Sequence, residues 1–210
     1  MKIKVVTTSN IGRMCRKLAA MDTHLERVFD TYGEPPLWDR EPGFETLLYI
    51  ILEQQVSLAS AKACFNKLTA RVGEVSPTNL LNSTDTELKQ DGFSRQKTSY
   101  ARHLSEAILE KRIDLDALQT LPDEDVKNEL IKLKGVGNWT ADVYLLMVLL
   151  RPDVMPRGDI ALHAAYHKLT NAVRRPTSDE FIVLAEKWAP YRSVAARLLW
   201  HFYLSEKAKK

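Results

Sequence analysis

The spacing of apolar residues predicts helices along nearly the whole chain. Residues 12–32 carry apolar groups at helical spacing and stop at Gly33, just before two prolines, so a single helix is predicted there. Residues 44–53 are too apolar for a surface helix and predict a helix buried in the core. Because no long alternating pattern of the kind that strands show is present, the predicted fold class is all-α.

Turn and capping residues set the predicted ends of the other helices. Ser57 is a suitable N-cap for a helix over 58–71 that stops at Gly73, which leaves Gln54 and Gln55 at a junction between two helices. The polar stretch 76–85 has turn chemistry. Further helices are predicted over 95–112, from Pro122 to Leu133, over 139–150, after a capping box at Thr177 and Glu180, and from Pro190 onward.

The composition is that of an ordinary soluble globule. The 210 residues are 45% hydrophobic and 27% charged, and the net charge is only +3, so any affinity for nucleic acid depends on where the charges lie. Cys15 and Cys64 form no Cys-x-x-Cys pair, which argues against a disulfide framework, a zinc site or a four-cysteine iron–sulfur cluster. No apolar run approaches the ~18 residues of a membrane span, and the N-terminus lacks the apolar core of a secretory signal.

Two glycines one residue apart, Gly135 and Gly137, lie between two predicted helices. Glycine has no Cβ, so the chain can reverse tightly here and another backbone can approach closely. The following helix presents N–H groups at its positive end, which suits an anion, and Lys134 adds charge beside it. With Thr140, these residues are predicted to bind a phosphate group, although a plain glycine turn between helices explains the same pattern.

Asp159 follows the hairpin by about twenty residues and stands directly before a predicted apolar helix. Taken alone it is a predicted N-cap, since aspartate between a glycine and a helix is common. The positive end of a helix also favours the anionic form of a carboxylate.

Four segments together resemble a known family. The pattern Leu-x-Gly-Val-Gly-x-Trp-Thr-Ala-Asp over 133–142 resembles the helix-hairpin-helix of the DNA glycosylase superfamily that takes its name from this motif. Residues 44–57 resemble its first core helix and following turn, and 92–97 its middle loop. Residues 188–200 resemble the C-terminal helices of the 3-methyladenine DNA glycosylase II (AlkA-type) branch, so the resemblance covers roughly residues 40–205.

The resemblance implies a single catalytic unit with an all-α fold of two lobes and an active cleft between them. The middle lobe is expected over about 44–133, and the second lobe from 1–43 and 134–210, with the hairpin and Asp159 in the second. It also implies that Asp159 is the catalytic residue. Cleavage of an N-glycosidic bond to a purine builds positive charge on the sugar, which a preorganised carboxylate stabilises.

Departures from the family pattern indicate the subclass. Trp139 stands where strand-nicking members have a lysine nucleophile, and without that amine no Schiff base forms there, so a hydrolase without AP-lyase activity is predicted. The cysteines of the iron–sulfur branches are missing, and no cofactor is expected to be required. Ile50 stands where the adenine-mismatch branch has a catalytic glutamate, and Glu53 is interpreted as a helix-end carboxylate.

Three aromatic residues, Trp139, Trp200 and Tyr144, are predicted to line a pocket for the flipped base. Stacking on an aromatic ring is worth about 1–3 kcal/mol per base. Purines methylated at N3 or N7 are cationic, and a cation is attracted to an aromatic face. The alternative interpretation of all three rings is core packing.

Gln55 matches the family's wedge residue, which fills the gap that the flipped base leaves in the duplex. The alternative is a solvated turn residue. The resemblance also implies a structural monovalent cation on the backbone carbonyls of Ile131, Leu133 and Val136. Two basic groups are candidate phosphate contacts or solvated charges: Arg95, Lys97 and Arg102, and Lys168, Arg174 and Arg175.

These features predict a monofunctional DNA glycosylase that hydrolyses alkylated purines of the 3-methyladenine and 7-methylguanine type in base excision repair. The alternatives are the same fold acting on hypoxanthine, uracil or ethenoadenine, and a non-catalytic DNA-binding hairpin protein. The last explains the glycines but not the spacing of Asp159. The expected partner is duplex DNA with a damaged base, bound by a monomer, in the nucleoid-associated cytoplasm of a bacterium or archaeon or in a eukaryotic nucleus.

Overall fold

The computed structural model describes residues 4–209, and residues 1–3 and 210 lie outside the described part. Residues 4–209 contain helices and no strand, so the predicted all-α class is confirmed. No described helix is long and apolar enough to cross a membrane. The α-helices in chain order are α1 Ile11–Met21, α2 Thr23–Tyr32, α3 Phe44–Glu53, α4 Leu58–Val72, α5 Pro77–Asn82, α6 Asp85–Asp91, α7 Arg95–Leu109, α8 Asp123–Leu130, α9 Asn138–Val143, α10 Ile160–Thr170, α11 Ser178–Ala185 and α12 Arg192–Ala208.

The chain divides into two compact units, named here for their place in the sequence. The middle unit is Arg40–Tyr144, and the terminal unit is Met1–Asp39 with Leu145–Lys210. This corrects the expected boundaries, because the whole glycine hairpin belongs to the middle unit and Asp159 to the terminal unit. The reason is local bonding: the Gly135 carbonyl accepts a hydrogen bond from Gln54, and the Lys134 N–H donates to His103, both in the middle unit.

The middle unit is built around α3, which packs against α4, α7 and α9. Residues 44–53 form this buried helix as predicted, because nearly every side chain after its first turn lies in the core. The Ser57 hydroxyl accepts from Ser60 N–H and caps α4, as predicted. The polar stretch 76–85 is not a simple turn: it includes α5 and leads into α6, because Ser76 and Thr84 each cap a short helix.

The terminal unit places α12 against α1, α2 and α10. The predicted single helix over 12–32 is in fact α1 and α2. Asp22 separates them, because its backbone is extended and its carboxylate accepts from His24 and Leu25 N–H at the start of α2. The same carboxylate accepts a 2.8 Å hydrogen bond from Trp188 Nε1, which stabilises the break from a distant part of the chain.

The helix predicted over 139–150 also ends earlier than expected. α9 stops at Val143, and Tyr144–Val148 form a π-helical turn. A π turn displaces backbone groups from the normal hydrogen-bond pattern. The carbonyl of Leu146 in this turn accepts a 2.7 Å hydrogen bond from Arg197 on α12, which compensates the displacement.

Candidate active site

Asp159 is the N-cap of α10, as its sequence context predicts. Its Oδ1 accepts hydrogen bonds from Leu162 N–H at 2.9 Å and from Trp200 Nε1 at 3.3 Å. The preceding Gly158 has φ +80°, a conformation that glycine adopts without strain, and this turns the chain into the helix. Asp159 is 8% exposed, so it is only narrowly open to solvent, and the two hydrogen bonds hold its carboxylate in place.

Helix α12 fixes the segment that leads to Asp159. Arg192 donates to the Asp153 carboxylate from Nε at 2.8 Å and from one terminal nitrogen at 2.9 Å. Ser193 Oγ accepts from Val154 N–H at 2.9 Å and donates to the Val154 carbonyl at 3.1 Å. Trp200 contacts Asp159 from the same helix two turns later. Helix α12 therefore contacts both Asp159 itself and the segment just before it.

Arg197 lies between these contacts and is fully buried. Its Nε donates to the Leu37 carbonyl at 2.8 Å and one terminal nitrogen to the Leu146 carbonyl at 2.7 Å. Burial lowers the pKa of its guanidinium to about 10, which still leaves it cationic at neutral pH. A buried cation bound to carbonyls fixes the position of two chain segments, and sequence reasoning had missed this role.

The predicted base-pocket residues have three different environments. Tyr144 is 0% exposed, and burial raises its pKa to about 12; it lies in the core in this structure, and its contact with a flipped base stays a prediction. Trp139 is partly exposed on α9. Trp200 is only 8% exposed, and its ring packs edge-on against Trp38 at a centroid distance of 6.4 Å.

A histidine lies one turn beyond Asp159 on α10. His163 N–H donates to the Asp159 carbonyl, and the imidazole packs against Phe181 at 4.7 Å. Burial lowers the pKa of His163, although the negative charge of Asp159 acts in the opposite direction. The imidazole is therefore neutral near pH 7 and adds no positive charge beside the carboxylate.

In the hairpin the two glycines have different environments. Gly135 has φ +88°, and a Cβ there would lie 2.2 Å from the Tyr100 ring, so the fold itself requires glycine. A Cβ on Gly137 would meet no atom within 4 Å. Gly137 thus leaves open space in front of the first turn of α9, where a large ligand can approach the backbone. Lys134 is exposed, and its Nζ contacts Ser99 Oγ at 2.9 Å.

Gln54 links the hairpin to the end of α3. Its Nε2 donates to the Gly135 carbonyl and to Thr140 Oγ1, both at 2.8 Å. Thr140 is 1% exposed, and its hydroxyl is a buried acceptor for Gln54; the phosphate contact expected at this position stays a prediction. The sequence shows two adjacent glutamines and gives no signal that the first one points inward.

Gln55, the predicted wedge, is exposed at the junction of α3 and α4. Its φ is +57°, an unusual value for a non-glycine residue. The turn before it is tightly bound: Lys97 Nζ donates to the Leu52 carbonyl at 2.6 Å, and Glu53 pairs with both terminal nitrogens of Arg40 at 2.9 Å. This agrees with Glu53 as a helix-end carboxylate, and it leaves Gln55 projecting from a fixed base.

Most of the candidate basic contacts are already engaged within the protein. Lys97 binds the Leu52 carbonyl, while Arg102, Lys168 and Arg174 form ion pairs with acidic neighbours. Arg95 and Arg175 are exposed. The described residues include no cluster of His, Cys, Asp or Glu suited to a metal ion. The Leu133 carbonyl accepts from Val136 N–H at 3.0 Å, and a carbonyl oxygen has a second lone pair.

Comparison with known proteins adds a family and several relatives. Residues 48–190 match the family described as HhH-GPD superfamily base excision DNA repair protein. DNA-3-methyladenine glycosylase 1 of Schizosaccharomyces pombe is 30% identical over 84% of this chain and 79% of its own length. The Bacillus subtilis protein YfjP is 27% identical over 85% of this chain but only 65% of its own length. DNA-3-methyladenine glycosylase 2 of Escherichia coli is 29% identical over 77% of this chain and 60% of its own length.

Solved structures agree with these relatives. The 3-methyladenine DNA glycosylase of S. pombe in complex with abasic DNA superposes with a TM-score of 0.85 at 26% identity, over 90% of this chain and 95% of that one. A DNA-3-methyladenine glycosidase from Bacillus halodurans superposes with a TM-score of 0.77 at 27% identity, over 100% of this chain and 95% of that one. An 8-oxoguanine glycosylase/lyase from Clostridium acetobutylicum, at 19% identity and a TM-score of 0.80, shares the fold.

Proposed function

Because the chain belongs to the HhH-GPD superfamily of base excision DNA repair proteins, we propose that it is a DNA glycosylase for alkylated purines of the 3-methyladenine and 7-methylguanine type. The observation that carries this proposal is Asp159, a buried helix N-cap whose carboxylate is oriented by an indole N–H. The relatives named DNA-3-methyladenine glycosylases support the substrate class.

The reaction is hydrolysis of the N-glycosidic bond. As the bond to the base lengthens, positive charge develops on the deoxyribose, and the carboxylate of Asp159 stabilises it. The hydrogen bonds from Leu162 N–H and Trp200 Nε1 fix the anion before reaction, so little reorganisation is needed in the transition state. A base methylated at N3 or N7 is cationic and departs as a neutral molecule, so it needs no strong general acid.

Binding to the duplex is assigned to the middle unit. The hairpin offers its backbone at Gly137 and the charge of Lys134 to a phosphate, contacts that carry no sequence information. Gln55 projects from a fixed turn and fills the gap that the flipped base leaves. The carbonyls of Ile131, Leu133 and Val136 would coordinate a monovalent cation beside the phosphate, where it would offset negative charge. Monomeric action is part of the same proposal.

The enzyme is proposed to be monofunctional. Trp139 on α9 has no amine with which to attack the sugar, so the product is an intact strand with an abasic site. Borohydride trapping should give no covalent enzyme–DNA adduct above background while base release proceeds. Adduct at a level that matches base release would contradict a hydrolytic mechanism.

The test of the function is release of free base from a panel of duplexes. Each duplex carries one lesion: 7-methylguanine, 3-methyladenine, ethenoadenine, hypoxanthine, uracil or 8-oxoguanine. We expect the two methylated purines to be released fastest. Faster release of a neutral base would reassign the substrate, and no release from any duplex would favour a non-catalytic DNA-binding protein.

A further inference from the structure

The aromatic surface next to Asp159 differs from what the sequence suggested. Trp200 is 8% exposed, its Nε1 donates to Asp159, and its ring belongs to the core of the terminal unit. A ring in that situation offers little area to a base. Trp38 is partly exposed, and its indole packs edge-on against Trp200 with an interplanar angle of 78°. The more accessible ring beside the Asp159–Trp200 pair is therefore that of Trp38.

The backbone at Trp38 is unusual. Its φ is +49°, in the left-handed region that a bulky aromatic residue rarely adopts. Such conformations persist only where the surroundings enforce them, and they are concentrated at functional sites. Here the preceding carbonyl, that of Leu37, accepts a 2.8 Å hydrogen bond from the buried Arg197. A fixed charge inside the terminal unit thus secures the turn that presents this indole.

The other ring that contacts Trp38 is compatible with a cationic ligand. His201 lies 6.4 Å away at 82°, and burial lowers its pKa, so it is neutral near pH 7. A neutral imidazole does not repel a positively charged base that stacks on the neighbouring indole. Trp200 is thus bound to the carboxylate, and Trp38 is the accessible ring beside it.

On these grounds we propose that Trp38 is a specificity-determining residue whose indole stacks on the flipped, alkylated base. The inference rests on the proposed glycosylase function. It predicts that Trp38→Leu lowers single-turnover excision of 7-methylguanine from a duplex by about 10-fold, since stacking of one base is worth roughly that factor or more. Trp38→Phe keeps a stacking face and should retain most of the rate.

Abasic DNA separates stacking from a merely structural role. A duplex with a tetrahydrofuran abasic site has no base to stack, so Trp38→Leu should bind it as tightly as the wild type does. Trp188→Phe is the control, because Trp188 is a buried indole of the same unit that contacts Asp22 rather than Asp159. It should lower the melting temperature and leave the excision rate unchanged.

Three results would overturn the inference. One is excision by Trp38→Leu within twofold of the wild type, and another is an equal loss in abasic-DNA binding and in excision. The third is a Trp38→Phe variant as slow as Trp38→Leu, which would show that stacking is not what the residue provides. If wild-type protein released no base from any duplex, the proposed function would fall and this inference with it; in the first three cases the function survives.

Discussion

The region around Asp159 and the hairpin region differ in exposure and in the kind of contact that holds them in place. Asp159 is buried, and side chains of α12 bind its carboxylate or the segment just before it, through an indole N–H, a serine hydroxyl and one arginine. The hairpin is exposed at Gly137 and Lys134, and its shape is set mainly by contacts to its backbone. If the proposed roles are right, the difference teaches that a charge acting on a transition state is fixed by buried groups, whereas a phosphate contact needs open backbone.

A second aspartate in the terminal unit provides an internal control. Asp22 caps α2 and accepts from Trp188 Nε1, just as Asp159 caps α10 and accepts from Trp200 Nε1. Asp22, however, also forms a 2.8 Å ion pair with Lys187, and Trp188 is 1% exposed within the core. Cap geometry alone therefore does not distinguish a structural carboxylate from a catalytic one.

The largest expected effect concerns the buried carboxylate of Asp159. Asp159→Asn should lower single-turnover excision of 7-methylguanine by about 100-fold or more, because the anion that stabilises the sugar cation is lost. Asparagine caps a helix about as well as aspartate, so the melting temperature should stay close to that of the wild type. The matched control Asp22→Asn should excise at the wild-type rate. Near wild-type excision by Asp159→Asn would show that Asp159 is only a helix cap.

The second prediction addresses the hairpin. Gly137→Ala should weaken binding to damaged and undamaged duplex by a similar factor, on the order of 10-fold, because a methyl group enters the space in front of the α9 backbone. The protein should remain folded, since that Cβ meets no protein atom. Affinity is measured by fluorescence anisotropy at fixed salt.

Gly135→Ala is the contrasting variant in the hairpin. Its Cβ would lie 2.2 Å from the Tyr100 ring at φ +88°, so it should lower the free energy of unfolding by about 1–3 kcal/mol. Unchanged affinity in Gly137→Ala for both duplexes would argue against the phosphate contact. Unchanged stability in Gly135→Ala would argue against the rigid turn.

A smaller effect is expected at the wedge. Gln55→Ala should lose several-fold more activity on a lesion in duplex DNA than on the same lesion in a single strand, where there is little stacking to replace. Excision rates on the two substrates give the ratio directly. Equal losses on both substrates would indicate that Gln55 is a solvated turn residue and not a wedge.

The smallest effect is a pH dependence at Asp22. Burial raises the pKa of Asp22, but hydrogen bonds from Lys187 and Trp188 outweigh it, and the net shift is downward. A carboxyl group with a lowered pKa in the folded state adds stability above its unfolded pKa of about 3.9, and that stability disappears as the pH falls through the folded value. Asp22→Asn should therefore cost about 1 kcal/mol at pH 7 and progressively less in acid. Urea unfolding of both proteins from pH 7 to strongly acidic pH checks this; a constant difference would contradict the ion pair.

The sequence predicts a structural feature well when the residues that cause it are neighbours along the chain. Helix α3 was predicted within its observed bounds, since its apolar run and the following Ser57 cap are neighbours in sequence. The break at Asp22 was missed because it depends on Trp188, far along the chain. The early end of α9 was missed because the π turn that follows it depends on Arg197.

The candidate site follows the same rule. The spacing from the hairpin led to Asp159, whereas the hydrogen bond from Trp200 Nε1 to its carboxylate was not predicted, since Trp200 was assigned to the base pocket. The burial of Tyr144 and Thr140 was not predicted, because on a short helix a change of one position turns a side chain from the surface into the core. Trp38 was overlooked, since only tertiary packing brings residue 38 to residue 200.

The division of the chain also bears on the order of events during synthesis. The middle unit is one uninterrupted stretch, whereas the terminal unit needs α1 and α2 from before that stretch and α10 and α12 from after it. As the chain leaves the ribosome, residues 40–144 can pack while the apolar faces of α1 and α2 still lack α12. We expect those faces, with Leu18, Leu25 and Val28, to need protection by chaperones until α12 emerges. The nascent chain would then carry a folded hairpin before the environment of Asp159 is complete.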